Sequence, residues 1–89
     1  MFDWDDGNRT HIALHGLTPE ECEQALADLL QVFLGGRRAN GEDRQAIIGR
    51  TAKGRTLVVV FTMRGDRFRV VTAWPANRRH RRAYQEANQ

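Results

Sequence analysis

The side chains best equipped for chemistry are thirteen arginines, three histidines and one tyrosine, and their arrangement suits an anion better than a metal. Arginine's planar fork grips phosphate oxygens two at a time, and an imidazole can take up or release a proton near neutral pH. Arg50, Arg64 and Arg69 fall at or near the ends of β-prone runs, His15 precedes Gly16, and Arg78, Arg79, Arg82 and Tyr84 lie together near the C-terminus. Carboxylates and histidines nowhere recur at metal-ligand spacing, so the sequence predicts no two-metal nuclease, no bound metal and no cofactor. The single cysteine, Cys22, excludes an internal disulfide framework and a cysteine-rich zinc site. It falls on the apolar side of a predicted helix and reads as buried filler.

Charge is divided along the chain. Residues 1–36 carry seven acids against Arg9, a balance of −6, while residues 37–89 carry thirteen bases against four acids, a balance of +9. Such asymmetry points to a basic working surface for a large anion, of which nucleic acid is the commonest. Eighty-nine residues suit one domain, 1–89, with a thin folding margin and little room to enclose a large cofactor. No apolar run approaches the ~20 residues that cross a bilayer. The acidic start MFDWDD is unlike a signal peptide, so a cytoplasmic protein without membrane contact is expected.

These side chains need elements to hold them. Phe2-Asp3-Trp4 alternates and could be a short edge strand, and a helix is expected from about Asn8 to His15, ended by Gly16. Thr18-Pro19-Glu20-Glu21 combines a capping box with proline at the first helical position. Cys22, Ala25, Leu26, Leu29, Leu30 and Phe33 then form one helical stripe, which predicts a helix to about Leu34, stopped by Gly35-Gly36. Residues 37–43 read as a polar loop. Three strands follow at about 44–50, 55–63 and 67–74, joined by the glycine-bearing turns Ala52-Lys53-Gly54 and Arg64-Gly65-Asp66. Leu57 to Phe61 is apolar throughout and is expected to be buried on both faces. In the third strand Phe68, Val70, Thr72 and Trp74 should share one face. Asn77 should cap a final helix from about Arg78 to Ala87. The expected class is therefore α+β, with two N-terminal helices, a three- to four-stranded antiparallel sheet and a basic C-terminal helix.

In this order the residues resemble the BrnT family of toxins, small ribonucleases with a RelE-like fold. The resemblance runs from Phe2-Asp3-Trp4-Asp5 through His15-Gly16, Ile48-Gly49-Arg50, the strand Leu57–Thr62 and Arg64. It closes on Arg69-Val70-Val71-Thr72-Ala73 and the helix with Arg78, Arg79, Arg82 and Tyr84. It implies a ribonuclease toxin of a type II toxin–antitoxin system, with RNA as substrate. The implied partner is a cognate antitoxin, a small DNA-binding protein through whose complex alone the promoter DNA is met. Two positions depart from the family: Trp74 stands where a basic residue is usual after the last strand's small pair, and Leu14 where one is common before His15.

Metal-free RNA cleavage requires a proton to leave the 2′-hydroxyl, charge on the phosphorus centre to be stabilised, and a proton to reach the 5′-oxygen. Arg69 is the foremost candidate for the charge, because a solitary charge on an internal strand is costly unless a ligand or a carboxylate meets it. An exposed or acid-paired arginine is the alternative. Arg50 and Arg64 are further catalytic candidates, or edge charges that discourage strand pairing. His15 is a candidate acid or base, or a cation favoured by a helix C-terminus. His80 and Tyr84 share the inward face of the last helix, where packing is the default. Arg78 and Arg79 occupy that helix's first turn, which disfavours cations, and Arg81 and Arg82 add crowding. Frustration of this kind marks a surface for RNA or an acidic partner. The competing readings are a catalytically weak or inactive RNA- or antitoxin-binding domain, which Trp74 favours, and a plain interaction module, which the +9 half opposes.

Overall fold

Asp5 and Asn8 start the first helix by capping each other. The Asp5 carboxylate accepts from the Asn8 N–H at 3.0 Å, and the Asn8 side chain accepts from the Asp5 N–H at 2.8 Å. In the computed structural model, which describes residues 1–89, this helix is α1 (Asp6–Ala13). It begins earlier than expected and stops before His15, which sits in the following turn beside Gly16 at φ +74°. Asn8 is buried, and its amide donates to the carbonyls of Asp3 and Val70, tying α1 to the N-terminal segment and to the sheet.

Helix α2 (Pro19–Ala27) opens on the Thr18–Glu21 capping box as read from the sequence. It does not continue to Leu34. Asp28 turns out of the helix at ψ 118°, and its carboxylate accepts from the N–H of Leu30 and of Arg50 and from the Tyr84 hydroxyl. Three partners outside the helix outweigh one further helical turn. Of the expected stripe, Cys22 and Ala25 are buried and Leu26 is partly so, whereas Leu29, Leu30 and Phe33 are exposed. Burial, with Glu21 and Glu23 adding to it, pushes the Cys22 thiol up to about 12.

Where a polar loop was expected the chain makes a hairpin. Strand β1 (Val32–Ala39) turns through Asn40 and Gly41, at φ 52° and 78°, into β2 (Glu42–Arg50). Two successive positive φ angles are what a tight hairpin turn needs, and Asn-Gly supplies them cheaply. Gly35-Gly36 therefore lies within a strand, at a bulge between Phe33 and Gly35, and does not end a helix. Strands β3 (Thr56–Arg64) and β4 (Arg67–Pro75) complete an antiparallel sheet in the order β1-β2-β3-β4, and α3 (Arg78–Ala87) follows. The architecture is α+β, three helices on a four-stranded sheet. The fourth strand is β1 and not Phe2–Trp4, which contributes a single parallel bridge from Phe2 to Phe68.

Both faces of the sheet are covered. Leu57, Val59 and Phe61 of β3 point into a ten-residue cluster with Ile12, Leu17, Cys22 and Ala25 beneath α1 and α2. Val58 points the other way, into a four-residue cluster with Ile48, Ala76 and Tyr84 beneath α3. Leu57 to Val59 is thus buried on both sides, as its composition demands. Strict alternation fails in β4. Phe61 pairs with Val70 and Val60 with Thr72, so one extra residue bulges out. Val70 and Ala73 consequently share the first cluster, while Trp74 packs against the second. Gly49 is required where α2 crosses β2: a Cβ there would lie 2.1 Å from the Ala25 carbonyl oxygen. No helix is long and apolar enough to cross a membrane.

Candidate functional site

One end of the sheet holds an open cleft of about 250 Å³ that brings Arg64 and Arg69 together with Arg44 and Glu42 of β2 and Asn8 and His11 of α1. The Arg69 side chain is only 17% exposed. It reaches the Asp5 carboxylate at 2.9 Å and the Asp3 carboxylate at 3.5 Å, and donates to the Asp3 carbonyl at 3.4 Å. These acids compensate a half-buried cation and fix its direction. The Asn8 backbone N–H, and after it Arg69, hold the Asp5 carboxyl below its ordinary value. Arg44 is similarly steadied by Glu42 at 3.2 Å, both side chains being partly buried. Arg64, at the end of β3, is exposed and has no acidic partner. His11 lies at the cleft wall, and the ring of His15 stacks against it with centroids 6.1 Å apart. Three arginines, two of them held by acids, thus line one cleft beside an imidazole.

The other end of the sheet gathers a different set. Tyr84 donates its hydroxyl to Asp28 Oδ2 at 2.7 Å, and the Arg50 guanidinium lies 4.7 Å over the Tyr84 ring. Burial would raise the Asp28 carboxyl, but hydrogen bonds from Tyr84, Leu30 and Arg50 outweigh it and leave the group below its ordinary value. Burial, together with the bond to Asp28, raises the Tyr84 phenol. Because β2 and β3 are antiparallel, Arg50 at the end of β2 is as far from Arg64 at the end of β3 as the sheet allows. The sequence candidates therefore separate: Arg64 and Arg69 share the cleft, His15 stands behind His11 beside it, and Arg50 and Tyr84 lie at the far end. Trp74 belongs to that far end, partly buried against the cluster beneath α3.

On α3, Asn77 caps the helix by accepting from the His80 N–H, and Tyr84 is its one buried residue. Arg81 donates to the Ala76 carbonyl at 2.7 Å. Arg78, Arg79 and Arg82 are exposed and make no ion pair with any acid. His80 and Ala83 are partly buried beside Tyr84, and the His80 Nδ1 is buried without a partner.

Sequence reasoning found no partner for His11 and gave no site role to Arg44, Asn8 or Asp28. Asp5-x-x-Asn8 is itself a capping signature, and would have placed the helix start and therefore His11 on its side facing β4. Arg44 required the register between β2 and β3, and Asp28 required its contacts with residues far along the chain. Nowhere do three His, Cys, Asp or Glu side chains converge as a metal ion would need.

A family model described as "Ribonuclease toxin, BrnT, of type II toxin-antitoxin system" matches residues 4–80, a span that includes every residue of the cleft. No curated protein sequence matches the chain. With most of its length matched, the chain belongs to the BrnT family of type II toxin–antitoxin ribonuclease toxins.

Proposed function

We propose that this BrnT-family chain is a metal-independent endoribonuclease of RelE-like architecture, acting in the cytoplasm and silenced by a cognate antitoxin. The observation that carries the reading is the cleft in which Arg44, Arg64 and Arg69 surround one space beside His11. In the reaction the ribose 2′-oxygen bonds to the adjacent phosphorus and the bond to the 5′-oxygen breaks. The products are a 2′,3′-cyclic phosphate and a 5′-hydroxyl. Arg69 and Arg44, held in place by acids, stabilise the charge that develops on the non-bridging oxygens without reorganising as it appears. Arg64, unpaired, secures the flanking phosphate. His11, with His15 stacked on it, moves the proton between the 2′-hydroxyl and the leaving oxygen.

Arg50, Tyr84 and the arginines of α3 stand apart from this chemistry, and we assign Arg50, Arg78, Arg79 and Arg82 to the RNA backbone beyond the scissile phosphate. Silencing is assigned to the antitoxin that the family supplies, a small DNA-binding protein whose complex with the toxin meets promoter DNA. A catalytically weak, RNA-binding chain is the second reading. It is favoured by Trp74, which packs against the core under α3 and brings no charge to the end of the last strand.

The deciding test is RNA cleavage by the purified chain in excess EDTA, beside Arg69→Ala. Cyclic phosphate ends from the wild type and none from the variant are expected. Cleavage that vanishes only when the metal is chelated contradicts the mechanism. Two folded proteins that both leave RNA intact replace it with the second reading.

A further inference from the structure

The outer edge of the sheet, whose groove shares Arg44 with the cleft and whose approach is tied to α3 only through Asn88 donating to the Leu30 carbonyl, carries exposed features that the proposed chemistry does not use. Four of the eight exposed large apolar side chains fall within six consecutive residues: Leu29, which is 98% exposed, Leu30, Phe33, which is 62% exposed, and Leu34. An apolar cluster of this density on a small chain marks a contact surface. Leu29 and Leu30 precede β1 and Phe33 and Leu34 lie in it; β1 pairs with β2 alone and leaves a row of N–H and C=O groups open along its outer edge. Edge strands are ordinarily blunted by charge, proline, cover or a bulge, and the stretch from Val32 to Gly36 has only the bulge between Phe33 and Gly35, with no charge and no proline. Beside it runs a groove of about 420 Å³ whose walls include Leu34, Gly36, Arg37, Arg44, Ala46 and Val60.

On this edge Arg38 pairs with Asp43 at 3.0 Å and Arg44 with Glu42, which leaves Arg37 as the one uncompensated charge. Arg37 and Arg44 are direct cross-strand partners, an arrangement that repels. We propose that the outer edge of β1, with Leu29, Leu30, Phe33 and Leu34, is the docking surface for an extended acidic–apolar segment of the antitoxin, which adds a strand to the sheet. This rests on the antitoxin partnership proposed above. Main-chain hydrogen bonds supply the register, the exposed side chains supply apolar burial, and an acid opposite Arg37 relieves the repulsion. A second copy of this chain fits poorly, because β1 itself contains two arginines and no acid. RNA would satisfy the arginines but not the apolar side chains or the open row of amides.

The test uses the full chain with its purified cognate antitoxin. Binding is measured by calorimetry for the wild type, Arg37→Glu and Phe33→Lys, with amide exchange across Val32–Ala39. Both positions are exposed, and a thermal melt checks that each variant is folded. Affinity lower by about tenfold or more in each variant, slowed exchange along β1 in the wild-type complex, and unchanged RNA cleavage by free Phe33→Lys are expected; Arg37→Glu, which faces Arg44 of the cleft across the strand pair, is read for affinity alone. Equal affinity in all three proteins, or protection confined to α3, overturns the docking surface while the partnership stands. A wild-type dimer dissolved by Phe33→Lys assigns the edge to self-association and overturns it too. An antitoxin that fails to bind even the wild type brings down the partnership itself, and the surface with it.

Discussion

The chain displays arginine in two ways, and the contrast separates positioning from attraction. In the cleft, Arg69 is braced by Asp3 and Asp5 and Arg44 by Glu42, and both guanidiniums are partly buried. On α3, Arg78, Arg79 and Arg82 extend into solvent from a helix whose first turn is already positive, and none of them is in an ion pair. A braced arginine gives up part of its charge in return for direction, which helps where charge must be met at one point as it develops. A free arginine keeps its full field and its mobility, which helps wherever phosphates pass, at the cost of sensitivity to salt. Two kinds of substitution should therefore produce two kinds of defect.

The largest expected effect is at Arg69. Arg69→Ala should lower RNA cleavage at saturating substrate by about 10²–10³-fold, while affinity for a non-cleavable, 2′-deoxy-substituted RNA changes by less than about threefold. Single-turnover rates beside fluorescence-anisotropy titrations read the two quantities separately. If affinity falls as far as the rate, braced and free arginines do not differ in kind. Next in size is the replacement of Arg78, Arg79 and Arg82 together by glutamate. Affinity for RNA should drop by about ten- to a hundredfold at low salt, and the slope of log affinity against log salt should flatten by about two to three. The rate at saturation should be retained. A smaller effect is expected from Asp5→Asn, since asparagine caps a helix as well as aspartate does but no longer charge-pairs with Arg69. Cleavage should fall by about three- to tenfold with the melting temperature nearly unchanged; a rate equal to the wild type would show that Arg69 needs no brace.

How much of this could be read from sequence depended on how local each cause is. The start of α2, the doubly buried run of β3 and the cap of α3 arise from neighbours a few residues apart, and Thr18, Leu57–Val59 and Asn77 announced them. The end of α2 has a distant cause. Leu29, Leu30 and Phe33 continue the helical spacing of Cys22 and Ala25, and only the partners of Asp28, 22 and 56 residues away, show why the helix stops. Asn40-Gly41 was a usable turn signal, hidden in a stretch whose polarity suggested a loop. Arg64 and Arg69 stood out because they end or interrupt β-prone runs. Their meeting with His11 depends on Asn8 bonding to Val70 across 62 residues, which no local pattern encodes. The Val71 bulge, which sends Trp74 to the opposite face from Val70, is equally silent in an alternating sequence.

The smallest expected effect sharpens the contrast from the far end of the sheet, where Asp28 joins Tyr84 of α3 to the end of β2 and Arg50 lies over the Tyr84 ring. Tyr84→Phe keeps the ring under Arg50 and removes only the hydroxyl donated to Asp28. At neutral pH it should cost about 1–2 kcal/mol in urea unfolding and leave the cleavage rate within about twofold. The pH dependence identifies the acceptor. The Asp28 carboxyl is lower in the folded chain than unfolded, so its contribution is present above the unfolded value near ~3.9 and is lost as pH falls through the folded one. The Tyr84 phenol is raised, so its contribution is present below its unfolded value near ~10 and is lost as pH rises through the folded one. The stability gap between wild type and Tyr84→Phe should therefore be widest on the neutral plateau and narrow toward both acid and alkali. A gap that stays constant from neutral pH into acid would mean that the ionised Asp28 carboxylate is not what holds the hydroxyl, and that α3 is fastened by ring packing alone.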